Sequence, residues 1–508
     1  MKITRRTLLR TLSGAAAAAV GTTALGRSPM RKRTSSPLPA ASQASAARAA
    51  AGNPLRIPPT FQGDELVAAI HTQEIFPGVE TTVWTLGGET PGPTIRVRRG
   101  DPFAVRLRNE LAEETIVHWH GQLVPPEMDG HPMEALAPGA SFDYAFDVVN
   151  RAGTYFYHPH PHERTGPQAY RGMGGFYLVS DEEEDALDLP DDAFDVPLMV
   201  QDRIFTPDGQ LSYDPNETQK LNGLLGDTIL VNGTPEAYLE VSADLYRFRV
   251  LNACNARIMK IGFADGTPFH LIGTDGGLLD RPYEVDALYL APAERIDILV
   301  DFAAMEIGSS LQLMTLGFGG STSFRTHGFA MPLLRFDVTA AATTTRAIPS
   351  TLAPITPIDP STAARTRVWE LDTRPVPLHG HHHRINGTTF EMDRIDVRVV
   401  QGETEIWEIR NLHTMPHPIH VHGVRFQVIE RINGEPLAPR DFGWKDTVVV
   451  WGEETVRVIL RFDAYEGMFL FHCHNLEHED EGMMLNFEIG EGDSDVGDAE
   501  GGGVLDLR

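Results

Sequence analysis

Four histidine pairs are written His-x-His along the chain: His118/His120, His158/His160, His420/His422 and His472/His474. In a β-strand, residues i and i+2 leave the backbone on one face and i+1 on the other, so each pair presents two imidazoles side by side. Neutral imidazole suits copper, zinc, iron and nickel alike, so the pairs alone do not choose a metal. Cys473 makes the choice. It stands between His472 and His474, which aims its sulfur at the opposite face of that strand. His478 and Met483 follow closely, and His417, at an odd spacing before His420, can reach the Cys473 side. Two histidines, a cysteine and a weak axial methionine form the pattern of a blue-copper electron-transfer site. One peptide segment then carries ligands of both groups, a short covalent path for electrons.

The elements that must hold these residues read as strands. Thr94 to Arg99 and Thr404 to Arg410 alternate apolar with polar residues, and Val456 to Phe462 does the same. That is the period of a half-buried strand. Gly and Pro punctuate at short intervals, as in β-sandwiches, and no long helical period appears after the leader. The chain also repeats itself. Gly100, Asn109 and His118 stand nine residues apart, and so do Gly402, Asn411 and His420. Gly153 to His160 likewise lines up with Gly467 to His474. In the middle third, Asn252 is followed nine residues later by Ile261, so the frame persists without histidines. The expectation is an all-β chain of three consecutive copies of one fold, with metal ligands in the outer two.

Composition sets the bounds. The 508 residues, 42% hydrophobic, suit about three domains with real cores. Two cysteines, Cys254 and Cys473, make no disulfide framework. A net charge of −27 excludes a nucleic-acid partner, whose phosphates would be repelled. Arg5-Arg6 precedes the mildly apolar run Ala15 to Val20, which resembles a twin-arginine export signal, with Ala44-Ser45-Ala46 a candidate cleavage site. The run is too short and too rich in Gly and Ala to span a membrane. The expected organisation is a leader over 1–53, a first domain over 54–180 and a second over 181–338. A linker over 339–365 leads to a third domain over 366–490, and an acidic tail covers 491–508. The acidic run Asp181 to Asp195 is expected to be a solvated connector.

On the strings His118-Trp-His-Gly, His158-Pro-His, His417-Pro-Ile-His-Val-His-Gly and His472-Cys-His-Asn-Leu-Glu-His-Glu-Asp-Glu-Gly-Met-Met, the chain resembles the multicopper oxidases. This group contains laccases, bilirubin oxidases and periplasmic cuprous oxidases, and the resemblance covers about residues 60 to 490. It implies three cupredoxin-like Greek-key β-sandwiches and four copper ions. Type 1 copper would take His417, Cys473, His478 and, weakly, Met483. Type 2 would take His118 and His420, and the type 3 pair His120, His158, His160, His422, His472 and His474. Pro159 replaces the polar or acidic residue more usual between the second pair. The implied reaction is one-electron oxidation of a small reductant, with four electrons delivered to O2 to give two waters. Its protons would come from Asp129 and Glu479, each of which also reads as an ordinary polar loop residue.

The implied protein is an exported monomer, periplasmic or extracellular, without stable membrane insertion. A phenol or aromatic amine is favoured as reductant because the 15 methionines are scattered, with only Met415 near His417. The alternatives are a metallo-oxidase of Cu(I), Mn(II) or Fe(II), and a non-catalytic envelope or copper-sequestering protein of the kind that loses ligands. Other residues receive plainer readings. Cys254 is an inert core thiol, and His162 a surface residue or one behind the ligands. His379, His381, His382 and His383 form a solvated loop cluster. His71, His131, His270, His327 and His413 have no partner pattern. The Gly-rich loop Leu316 to Phe329 reads equally as surface loop or as a wall of the substrate entrance.

Overall fold

A computed structural model describes residues 52–319, 327–373 and 383–491. Residues 1–51 of the expected leader, 492–508 of the expected acidic tail, part of the Gly-rich loop and His379, His381 and His382 lie outside the described residues. The strands form six sheets, two for each third of the chain. In the first third, Val79–Leu86, Glu65–Phe76, Pro102–Asn109 and Ser141–Asp147 make one sheet. Ile95–Arg98, Gly175–Ser180, Gly153–Pro159 and Val117–His120 make the other. Along Pro102–Asn109, exposed and buried residues alternate, and Phe103, Val105 and Leu107 meet Trp119, Tyr157 and Tyr177 of the opposite sheet. The sandwich core is therefore built by strand periodicity.

The repeated asparagine proves to be a clamp used three times. At the end of Pro102–Asn109, Asn109 accepts a hydrogen bond from the Leu111 N–H and donates to the carbonyls of Glu113 and Leu136. Asn252, ending Leu245–Asn252, accepts from the Cys254 N–H and donates to the carbonyls of Arg257 and Leu290. Asn411, ending Thr404–Asn411, accepts from the His413 N–H and donates to those of Met415 and Val450. Each ties off a strand and fixes where the next begins, satisfying buried backbone groups that have no ladder partner. The next strands are Val117–His120, Met259–Phe263 and His417–Val421. In the middle copy Ile261 and Phe263 take the places of His118 and His120, and both join the apolar core.

Three expectations about the connections change. Asn53–Pro54 pairs in parallel with Ala237–Ser242, so the chain adds a strand to the middle third before entering the first. The acidic run is solvated only in part: Glu182, Glu183, Asp185, Asp188, Asp191 and Asp192 are exposed as expected, while its two ends and Glu184 are docked. Asp181 caps the helix Glu182–Asp185, and Asp195 is buried against Arg249 at 2.7 Å. Glu184 pairs with Arg247. Carboxylates are held here by a helix N-terminus and by guanidinium groups buried beneath them, partners a local reading cannot see. The Ala/Thr/Pro-rich linker is also tied down. Thr339 and Ala340 complete the strand Met331–Ala340, and Thr343 and Thr344 donate to Asp244. Leu352 and Ile355 pack on the middle core. Among the described residues, no helix is long and apolar enough to cross a membrane.

Candidate metal centre

Eight imidazoles from the outer thirds converge. His118 sits directly opposite His158 in one sheet, and His420 directly opposite His472 in the other. All eight are buried. Six of them have an outward nitrogen occupied, and this decides what the inward one can do. His118 Nδ1–H donates to the Asp129 carbonyl at 2.7 Å, and His420 Nδ1–H to the Asp446 carbonyl at 2.8 Å. His158 and His472 donate to the Pro159 and Cys473 carbonyls at 2.9 and 3.2 Å. His422 Nδ1–H donates to Asp129 Oδ2 at 2.7 Å. His120 is turned the other way, with Nε2–H donating to Asp446 Oδ1 at 3.0 Å.

Bare nitrogens are left facing one another. His118 Nε2 and His420 Nε2 are 3.4 Å apart, as are His120 Nδ1 and His158 Nε2, and His160 Nε2 and His472 Nε2. His422 Nε2 and His472 Nε2 are 3.0 Å apart. Two nitrogens at about 2.0–2.1 Å from one ion in tetrahedral array lie roughly 3.3–3.4 Å apart, so the spacing fits shared metal ions. His474 is buried with neither ring nitrogen hydrogen-bonded. Burial, then neighbouring imidazoles and cations, hold His120, His158, His420, His422 and His474 well below the usual histidine range. They stay neutral, the form that ligates.

On the other face of Gly467–Cys473, Cys473 Sγ is 3.5 Å from His417 Nδ1 and 3.6 Å from His478 Nδ1, and these two nitrogens are 3.2 Å apart. Met483 is buried, and its carbonyl accepts from the Cys473 N–H at 3.0 Å. Burial pushes the Cys473 thiol up, while the Asn475 N–H donates to its sulfur at 3.4 Å. Burial holds His417 down at about 3. A soft sulfur beside two neutral imidazoles suits copper. Strand alternation thus delivers His472 and His474 to one group and Cys473 to the other.

The two expected acids flank the imidazole cluster. Asp129 is placed by the turn into Gly130, where a Cβ would collide with the Val117 carbonyl, so only glycine fits there. Glu479 sits in the helix Leu476–Asp480, with Oε2 3.2 Å from His472 Nδ1 and Oε1 3.6 Å from His160 Nε2. Burial raises its affinity for a proton, but His160 and His472 outweigh that and hold it below the usual range.

Two residues of this neighbourhood were missed. His383, expected in a solvated loop, is fully buried and stacks on His478 at 3.6 Å. Thr373 Oγ1 lies 3.1 Å from its Nδ1 and 3.3 Å from His417 Nε2. The strand pairing of Arg365–Thr373 with His383–Ile385 brings it there, a contact no local spacing encodes. Asp446 was also missed, although a Lys-Asp pair opening the apolar run Thr447–Val450 was a signal. Two other histidines have partners of a structural kind. His131 accepts from the Met133 N–H and donates to Asn486 Oδ1, and His413 lies 2.6 Å from Asp372. Cys254 is buried in the middle core.

Family models described as multicopper oxidase match residues 69–184, 200–309 and 358–493. A laccase of Bacillus stratosphericus is 34% identical over 470 residues, covering 80% of this chain and 91% of its own. The cell division protein FtsP of Escherichia coli is 34% identical over 448 residues, covering 85% of this chain and 91% of its own. Among solved structures, the McoA multicopper oxidase from the hyperthermophile Aquifex aeolicus is similar with a TM-score of 0.79 and 38% identity. It covers 86% of this chain and 99% of that one.

Proposed function

Because the chain belongs to the multicopper oxidases, we propose that it is an exported laccase-like oxidase holding four copper ions. Its donors are phenols or aromatic amines, and its acceptor is O2, reduced to two waters. The observation that carries this reading is the buried cluster of eight imidazoles, six with an outward N–H satisfied, whose bare nitrogens face one another 3.0 to 3.4 Å apart. His417, Cys473, His478 and Met483 would hold the type 1 ion, and His118 with His420 the type 2 ion. His120, His158, His160, His422, His472 and His474 would hold the type 3 pair. Bound copper supplies the one-electron redox chemistry and the reduction of O2.

The protein's own part is to admit the donor, order the ligands and bring protons. Trp451 follows Val450, the residue paired with His417, and meets Tyr289, which meets Phe318. This aromatic wall supports an aromatic donor beside the Cys473 group. For protons, Glu479 faces His160 and His472 from one side, and Asp129 faces His422 from the other. On the Glu479 helix, burial pushes Glu477 up to about 7, where it exchanges protons near neutral pH. The paired Arg5-Arg6 supports export by the twin-arginine route to the periplasm or beyond.

The relatives include a cell division protein, FtsP, as well as oxidases, which keeps open a second reading, a non-catalytic envelope or copper-sequestering protein. A metallo-oxidase of Cu(I), Mn(II) or Fe(II) is the alternative within the enzymes. One comparison separates them: load the purified protein with copper, record the blue thiolate-to-copper band, and measure oxygen uptake with a phenolic donor and with Cu(I). The oxidase reading expects a blue protein, uptake with the phenol, and loss of both in Cys473→Ser. Uptake with Cu(I) alone selects the metallo-oxidase. A blue protein without uptake selects the non-catalytic reading, and a colourless one defeats the copper assignment.

A further inference from the structure

The middle third brings no imidazole to the cluster, yet one of its arginines reaches it. Arg295 begins the strand Arg295–Asp301 and is fully buried. Its five N–H groups are all used. Nε donates to the Thr154 carbonyl of the first third at 3.0 Å. Nη1 donates to the Ala293 carbonyl at 2.9 Å and to Asp446 Oδ1 at 2.7 Å. Nη2 donates to the Asp275 carbonyl at 2.9 Å and to Asp446 Oδ2 at 2.5 Å. The carboxylate of Asp446 is thus held bidentately, the arrangement that fixes its plane most firmly.

Asp446 in turn touches two imidazoles from different thirds of the chain. Its carbonyl accepts from His420 Nδ1–H, and its Oδ1 accepts from His120 Nε2–H and from Thr447 Oγ1 at 2.9 Å. His120 is the one imidazole among these that points Nδ1 inward, 3.4 Å from His158 Nε2. A half-turn of the ring about its last bond would put carbon where each nitrogen now stands and lose both contacts. The carboxylate accepting from Nε2–H is the group that selects the orientation observed. Carboxylates behind ligating histidines fix tautomer and ring orientation in this way.

We propose that Arg295 and Asp446 are a positioning pair for the type 3 centre. The guanidinium locks the carboxylate, and the carboxylate locks His120 with Nδ1 toward the metal. The middle third, without ligands, would then be required for copper occupancy in the outer two. This rests on the copper reading above.

The test uses the full-length, copper-loaded protein in three variants: Asp446→Asn, which keeps the shape, Arg295→Met, and Arg249→Met. Arg249 is another buried interface arginine, paired with Asp195 and without a contact to Asp446, and serves as control. Copper is titrated out with a chelator, and three signals are followed. These are the blue band, the near-ultraviolet band of the oxidised type 3 pair, and the electron paramagnetic resonance of uncoupled copper. Asp446→Asn and Arg295→Met should keep the blue band and lose type 3 copper at roughly 10- to 100-fold lower chelator concentration. Arg249→Met should lower thermal stability and leave that concentration unchanged. Type 3 copper held as in the unsubstituted protein by both variants overturns the proposal. So does parallel loss of blue and type 3 signals, which marks a general structural pin. If Arg295→Met does not fold, Asp446→Asn decides. Unsubstituted protein that takes up no copper overturns both this proposal and the function it rests on.

Discussion

The asparagine clamp makes a quantitative prediction in the third of the chain that brings no histidine to the cluster. Asn252 is fully buried and makes three hydrogen bonds, to the Cys254 N–H at 3.1 Å and to the Arg257 and Leu290 carbonyls at 2.8 Å each. Replacing it by Ala removes all three and strands backbone groups away from water. At about 1 kcal/mol net per bond, the loss is about 3 kcal/mol. For a folding unit of this size, about 2–4 °C in Tm per kcal/mol gives a fall of about 6–12 °C. Calorimetry of the copper-free protein is the assay, because separate transitions would show which third is affected. Asn252→Asp should be at least as damaging as Ala. It keeps the acceptor for Cys254 but turns an anion toward two carbonyls that had donors. A fall under about 2 °C for Asn252→Ala, or an Asp variant as stable as the unsubstituted protein, would refute the clamp as a source of stability.

Two further outcomes are expected. His327 is buried and its ring is held down at about 4, by burial first and then by Arg257. Its folded value lies below the ordinary 6.5, so the unfolded chain takes up the proton first as pH falls. Stability should drain from about pH 6.5 down to about pH 4, with on the order of 3 kcal/mol due to this ring. In His327→Gln, urea unfolding of the copper-free protein at pH 7 and pH 4.5 should show a correspondingly smaller difference, and an unchanged difference would refute the assignment. Glu479→Gln removes the acid 3.2 Å from His472 and should slow oxygen uptake by about 10²-fold or more, with the blue band kept. Uptake within about twofold of the unsubstituted rate would show that protons arrive by another way.

The three-part fold and the convergence of the paired histidines were legible because both are written in short spacings. Strand alternation places His472, Cys473 and His474, and the nine-residue steps from Asn109, Asn252 and Asn411 mark the same corner three times. What escaped depends on partners far along the chain. Asp446 meets Arg295 across 151 positions, and His383 reaches His478 through a strand pairing that follows unrelated local sequence. The docked part of the acidic run escaped for the same reason. Most of its acids are exposed, but Glu184 and Asp195 meet Arg247 and Arg249 beneath them. Charge by itself does not say whether a residue faces water or a buried counter-charge.

The partners His118 and His420 are separated by 302 positions. On the ribosome, the first four imidazoles can fold into their sheet long before the last four exist. During that interval the cluster is half a site, four imidazoles with no opposing wall and nothing to exclude an unintended divalent ion. The strand carrying Cys473 is nearly the last element made, and the chain past it supplies only one short helix and the strand Met484–Gly490 before the described residues end. Biosynthesis therefore imposes an order. Correct metal loading has to wait for completion of the chain, and a nascent protein stalled before Gly467 would carry six of the eight imidazoles and lack Cys473.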